Sequence, residues 1–235
     1  MESRARPEDT YIWWDWGGVL GGFDADIFCE SLARALGTSS LELSHFILRE
    51  TRPSIFSEIE IGLTEEQIRE KFCRRFKTSI SAEEFCNAFN GGVTVGTADK
   101  KSLPLMQEFH AYGFRQGLIS NMNFLHGEFI KSKRPKVFDY LPLFRRFFSY
   151  EIGFRKGRKQ GDGLFRVICN QCGALPENSF LIDDRQENID WFNALGGMGI
   201  LFISGGFQQA RYEILYELSR RGIIDPILMP WRIVI

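Results

Sequence analysis

Three short apolar stretches of this chain each run into polar groups that can do chemistry. Tyr11 to Trp14 leads into a lone carboxylate, Asp15, followed by Trp16, Gly17 and Gly18. The stretch FRQGLISN ends in Ser120 and Asn121, and NSFLIDD ends in two acids, Asp183 and Asp184. A short apolar run bounded by glycines or turn residues has the pattern of a buried strand. In a parallel sheet the carboxyl ends of the strands share one edge, which is where open α/β sheets place their ligands. Asp15, Ser120, Asn121, Asp183 and Asp184 can therefore converge although the sequence separates them widely. Acids after an apolar strand are costly to leave unpartnered, so they serve a cation or a hydrogen-bond network. The plainer alternative is that Asp183 and Asp184 cap the next helix, since aspartate is a good N-cap. One acid can cap while the other binds a cation.

The elements that would position these groups fall into two patterns. From residue 23 to residue 90 the chain reads as several helices and no strand. DADIFCESLARALG stops at Gly37, LELSHFILRE places Leu43, Phe46 and Ile47 on one side, Thr64 with Gln67 has the form of a capping box, and Ser81 with Glu84 repeats it. From about residue 100 helices and strands alternate: LPLMQEFHAYG, FRQGLISN, a helix from near Phe124, a strand at Phe147 and Phe148, the helix GLFRVICNQCGA, NSFLIDD, ENIDWFNALGG, MGILFIS and QQARYEILYELSRRG. Alternation of this kind predicts an α/β, Rossmann-like parallel sheet flanked by helices. We expect residues 1–20 and 100–235 to form that core and residues 21–99 to form a small all-helical insert after the first strand. Gly21 and Gly22 on one side, with Gly91, Gly92 and Gly96 on the other, would make the hinge between them.

Composition excludes several classes. The net charge of −1 gives no field suited to nucleic acid or an acidic membrane surface. Mean hydropathy is −0.17 and no run reaches the roughly 18 apolar residues of a membrane span. The polar start MESRARPEDT reads as a loose lead-in rather than a basic-then-apolar leader, and five cysteines are an odd count, so reduced thiols and a cytoplasmic location are expected. Cys169 and Cys172 form a C-x-x-C with no second ligand pair at metal spacing, which reads as two buried thiols on a helix. His45, His110 and His126 lie far apart, with packing or surface roles expected. Twenty-two phenylalanines predict extensive aromatic packing, with Trp13 and Trp14 in the core and Trp16 a candidate to face a ligand.

Four motifs in a fixed order resemble the haloacid dehalogenase-like (HAD) superfamily, in its phosphatase branch with a helical C1-type cap. They are D-W-G-G-V at Asp15 to Val19, L-I-S-N at Ser120, S-Y-E-I-G-F-R-K from Ser149 to Lys156, and F-L-I-D-D at Asp183 and Asp184. The resemblance implies a Mg²⁺-dependent phosphatase acting on a small phosphorylated metabolite, of the sugar phosphate or nucleotide class, through an aspartyl-phosphate. Asp15 would be the nucleophile and would share Mg²⁺ with the Gly17 carbonyl and the acidic pair, Asp184 directly and Asp183 in support. Ser120, and backbone near Gly17, Gly18 and Asn121, would hold the phosphoryl group, and a lysine would stabilise its charge. Partners beyond that small substrate, whether nucleic acid or membrane, are not expected, and nothing in the sequence speaks to oligomeric state.

The chain departs from the pattern twice. Many relatives carry a second aspartate where this chain has Gly17, the residue that would protonate the leaving group; a glycine there leaves room for water or a substrate hydroxyl. The lysine loop FRKGRKQGDGLF writes Arg-Lys twice, so Lys156 fits counting forward from Ser149 and Lys159 fits counting back from Phe165. Arg155 and Arg158 then form either a solvated loop or a positive rim that draws in phosphorylated substrates, and the basic run at residues 131 to 136 is expected to face solvent. Two other readings of the same residues remain: a metal-independent haloacid dehalogenase, and a catalytically silent binding or regulatory protein.

Overall fold

Tyr11, Ile12, Trp13 and Trp14 are all buried, as a strand covered on both faces requires. The computed structural model describes residues 6–47, 55–95, 100, 102–157 and 161–225. In it these four residues form β1 (Tyr11–Trp14), the middle strand of a five-stranded sheet. The chain continues through β2 (Gly22–Phe23), helices α1 (Ala25–Leu36), α2 (Ser40–His45), α3 (Ile55–Ile59), α4 (Glu65–Phe76) and α5 (Ala82–Phe89), then β3 (Val93–Thr94). There follow α6 (Leu103–Ala111), β4 (Arg115–Ser120), α7 (Phe124–Lys133), β5 (Arg146–Phe148), α8 (Ser149–Ile152) and α9 (Gly161–Cys172). The last elements are β6 (Ser179–Asp183), α10 (Gln186–Ala194), β7 (Met198–Leu201) and α11 (Phe207–Arg220).

The sheet order is β5-β4-β1-β6-β7 and every pairing is parallel. The expected α/β core is thus present, with the ends of β1, β4 and β6 on one edge. Alternation along β1 sends Ile12 and Trp14 into one hydrophobic cluster and Tyr11 and Trp13 into another on the opposite face. Two indoles this large fit because their neighbours give way. Gly117 of β4 lies in register with Trp13, and a Cβ there would sit 2.2 Å from the indole ring. The Trp14 indole N–H donates to Gln116 Oε1 at 3.0 Å, and Gln116 in turn donates to the Met106 carbonyl at 2.8 Å, so the polar atoms of this buried pair are satisfied.

Helices α1 to α5 pack on a third cluster built around Phe28, Leu32, Phe72, Phe85 and Phe89. Leu125 of α7 belongs to the same cluster and so ties these helices to the sheet side. Their ends follow local rules. Asp24 accepts from the amides of Asp26 and Ile27, and Gly37 ends α1 in the left-handed region. Thr64 and Gln67 close a capping box, and Ser39 with Glu42 forms a second that the sequence reading overlooked. Ser81 caps α5 by accepting from the Glu84 amide.

Some local expectations need correction. Residues 23 to 90 are not free of strand: β2 and β3 pair antiparallel, with Phe23 opposite Val93, where the chain leaves and rejoins the sheet core. Gly22 and Gly92 serve close approach there, since added Cβ atoms would lie 2.4 Å from Thr94 Oγ1 and 2.3 Å from the Asp24 carbonyl oxygen. Gly96 lies outside the described residues. All five thiols are free and half-buried rather than buried, Cys169 reaching the Ala174 carbonyl. In the basic run, Lys131 is bonded to both Glu128 and Glu151. No helix among the described residues is long and apolar enough to cross a membrane.

Candidate active site

Asp15 is the first residue past β1, and its amide still donates to the Ile182 carbonyl of β6 at 2.9 Å, so the ladder holds it at the sheet edge. The Lys156 ammonium lies 2.8 Å from Asp15 Oδ1 and 2.5 Å from Asp183 Oδ2. Ser120 is the final residue of β4 and is buried beside them, lining the same cleft as Asp15, Gly17, Asn121, Lys156 and Asp184. Of the two candidate lysines the structure places Lys156 here; Lys159 and Arg158 lie outside the described residues.

Lys156 comes from a loop, and two hydrogen bonds explain why the loop runs where it does. Ser149 Oγ accepts from the Met122 amide at 2.9 Å and donates to the Met122 carbonyl, joining the segment after β5 to the loop after β4. Gly153 then ends α8 at φ 72°, and the Lys156 amide donates to Asn121 Oδ1 at 2.7 Å. The spacing from Ser149 to Lys156 is therefore the length of chain between two anchor points. The Asn121 side-chain oxygen is used to aim the lysine.

The adjacent acids have different surroundings. Asp183 is fully buried: Oδ2 receives Lys156, while Oδ1 accepts from the Arg185 amide at 3.0 Å and from Asn188 Nδ2 at 2.9 Å. The N-cap of α10 is Arg185 and no side chain caps it, so the capping alternative for the acidic pair does not hold. Asp184 is exposed to the cleft. Gly18 makes that position possible: its φ is 72°, and a Cβ on it would lie 2.3 Å from Asp184 Oδ2.

Oxygens of Asp15, Asp183 and Asp184 all lie within 4.8 Å of one another. Three carboxylates face one ammonium, leaving an excess of negative charge. Burial raises Asp15 to about 7, with Asp183 and Asp184 adding to the rise and Lys156 opposing it. Burial works against the Lys156 charge, but Asp15 and Asp183 outweigh it and hold the ammonium above its usual range. Burial and then Asp183 raise Asp184 as well. An all-oxygen set with surplus negative charge and an exposed carboxylate fits a hard divalent cation. Asn188 adds to the fit: it is buried beside Asp183, borders the cleft, and its Oδ1 has no partner among the described residues. The sequence reading missed it, although its position one turn into the helix after the acidic pair puts it on the sheet edge.

The cleft has a volume of about 500 Å³ and is closed on one side by residues of the helical segment. Arg155 is neither solvated nor a free positive rim, because it pairs with Glu60 at 2.7 Å and donates to Ser57 Oγ at 3.0 Å. Burial pushes the Glu60 carboxyl up, with Arg155 pulling against it. Nothing in the sequence linked these residues, which lie on separate elements. His126 is packed, as expected. Its Nε2 donates to the Phe89 carbonyl, which obliges Nδ1 to accept from Asn123 Nδ2, and burial lowers its pKa to about 4. Trp16 is buried and lines the cleft, while Trp13 and Trp14 are core.

Solved structures of HAD family enzymes and hydrolases share this fold of a parallel five-stranded sheet flanked by helices. A HAD family enzyme from Bacteroides thetaiotaomicron, in complex with magnesium and inorganic phosphate, matches with a TM-score of 0.68 at 21% identity, over 83% of this chain and 95% of its own. A HAD-like family hydrolase from Porphyromonas gingivalis matches with a TM-score of 0.70 at 20% identity, over 91% and 98%. A HAD phosphatase from Thermococcus onnurineus matches with a TM-score of 0.55 at 14% identity, over 83% and 86%. No protein-family model matches the chain.

Proposed function

We propose that this protein is a magnesium-dependent phosphatase of the HAD superfamily, hydrolysing a small phosphorylated metabolite through an aspartyl-phosphate on Asp15. The observation that carries the reading is the buried Lys156 bridging Asp15 and Asp183 beside Ser120 and the exposed Asp184. The magnesium and phosphate bound by the Bacteroides enzyme of the same fold support it. In this reading residues 21–99 act as a cap over a core of residues 1–20 and 100–235.

Asp15 Oδ attacks phosphorus and the ester oxygen leaves with the substrate alcohol. Lys156 stays charged throughout, offsetting the negative charge on the transferring oxygens, and Ser120 donates a hydrogen bond to one of them. Asp183 keeps the ammonium aimed at Asp15. Magnesium, held by Asp15, Asp184 and the Gly17 carbonyl, would supply the charge neutralisation that lets a carboxylate approach a phosphate dianion. Gly17 brings no acid, and nothing lies within 4 Å of where its Cβ would be, so water has room to carry the proton to the leaving alcohol. The hydroxide left by that proton transfer takes a proton from a second water as that water attacks phosphorus; the bond from phosphorus to the Asp15 oxygen breaks, releasing inorganic phosphate and freeing the carboxylate.

The test is hydrolysis of 4-nitrophenyl phosphate with magnesium. Wild-type protein turns over, and Asp15→Asn or removal of metal by chelator abolishes turnover. Activity that persists in Asp15→Asn overturns the mechanism. Halide release from a haloacid in the presence of chelator would favour the dehalogenase reading instead, and magnesium-linked phosphate binding without turnover would favour a silent binding protein.

A further inference from the structure

We infer that the leaving group of the substrate carries a flat unsaturated ring, and that Phe23 and Phe56 bind its face; the inference rests on the phosphatase reading of the same cleft. The ring centroids of Phe23 and Phe28 lie 5.3 Å apart, those of Phe28 and Phe56 6.0 Å, and those of Phe23 and His126 5.3 Å. Phe28 is buried beneath, while Phe23, Phe56 and His126 border the cleft, so they present one aromatic wall to it. Phe23 remains 43% exposed there.

Most polar groups near this wall already have protein partners, Asn188 Oδ1 being an exception. Ser57 and Glu60 serve Arg155, and Asn123 and His126 serve each other and the Phe89 carbonyl. Arg185 pairs with Glu187, and Asn188 Nδ2 holds Asp183. A polyol leaving group would lose water from each hydroxyl and find few partners, a cost that specific polyol sites avoid by offering matched donors and acceptors. A ring meets no such cost and covers the exposed face of Phe23. The volume sets the size: at ~30 Å³ per water the cleft of about 500 Å³ holds roughly 17 waters, far more than a phosphoryl group displaces, and sufficient for a one- or two-ring alcohol.

The experiment uses two stable anions, phenylphosphonate and methylphosphonate, titrated calorimetrically into the whole protein with magnesium, alongside hydrolysis of benzyl phosphate and glucose 6-phosphate, both esters of primary alcohols. Phenylphosphonate should bind about tenfold more tightly than methylphosphonate, and benzyl phosphate should have the higher kcat/KM. Phe56→Leu keeps apolar bulk but removes the ring, and should shrink the phenyl-to-methyl ratio roughly three- to tenfold with its melting temperature near wild type. Phe23→Leu should act in the same direction. Equal binding of the two phosphonates, no binding of either, an unchanged ratio in both variants, or faster turnover of glucose 6-phosphate would overturn the inference. Ring-selective binding without hydrolysis of either ester would reject the phosphatase reading and leave the aromatic wall standing. Hydrolysis without ring selectivity would do the reverse.

Discussion

Replacing Gly18 by alanine perturbs the metal-facing carboxylate through a single methyl group. At φ 72° an alanine costs roughly 1 kcal/mol more than glycine, because its Cβ crowds the following carbonyl. The same Cβ would sit 2.3 Å from Asp184 Oδ2 and 2.7 Å from its Cγ, where ordinary contact begins at 3.4 Å, so the carboxylate must withdraw by about 1.1 Å. Asp184 is exposed and can swing aside without unpacking the core, which limits the stability loss to about 1–2 kcal/mol. The functional loss is larger, since an ångström of misplacement at a reacting centre can cost on the order of 10²-fold. Gly17 is the internal control: a Cβ there meets nothing within 4 Å, so Gly17→Ala should stay within a few tenths of a kcal/mol of wild type. Thermal denaturation gives the stability difference, and magnesium titrations by calorimetry and by hydrolysis of 4-nitrophenyl phosphate give the site. Wild-type magnesium affinity in Gly18→Ala, or a greater loss in Gly17→Ala than in Gly18→Ala, would refute the reasoning.

Other substitutions and conditions test different parts of the site. Lys156→Met leaves Asp15 and Asp183 facing each other without a counter-charge; activity should fall by roughly 10²–10³-fold and stability by about 3–5 kcal/mol, read from kcat and from chemical denaturation. His126 is held neutral, its pKa lowered from 6.5 to about 4, so an unfolded chain binds this proton more readily than the folded one. Its contribution is therefore complete above about pH 6.5 and is lost as pH falls towards 4, a change of about 3 kcal/mol at ~1.4 kcal/mol per pH unit. Urea denaturation at pH 7 and pH 4 should show less acid loss in His126→Gln than in wild type; equal losses in the two proteins would reject that assignment.

Much of the core, and the strand ends that meet at the cleft, is legible in local sequence. Four buried residues running into Asp15, an apolar run ending at Ser120, and another ending at Asp183 and Asp184 are local patterns, and a parallel sheet brings such ends together whatever lies between them. The glycine at Gly37 and the Thr64–Gln67 box were equally local, and both hold. What failed depended on partners distant in sequence. The strand at Phe23 escapes a reading of residues 23 to 90 as strand-free because it is only two residues long and is defined by Val93 on the far side of the helical segment. Arg155 was read as a loop cation because its partners, Ser57 and Glu60, belong to another element.

The sequence by itself determined which chemical groups are present and that they terminate strands, because strand patterning is written in adjacent residues. Tertiary structure decided which of those groups face the cleft. Neighbours in an extended chain point to opposite sides, so Asp183 turns inward to Lys156 and Asn188 while Asp184 meets solvent, a distinction the pair of letters does not contain. The place of Lys156 is likewise a matter of space: the repeated Arg-Lys pairs do not say as text where either lysine lies, but the hydrogen bond from the Lys156 amide to Asn121 brings its ammonium to Asp15. The aromatic wall, assembled from Phe23 in β2, Phe56 in α3 and His126 in α7, exists only once those segments are folded against one another.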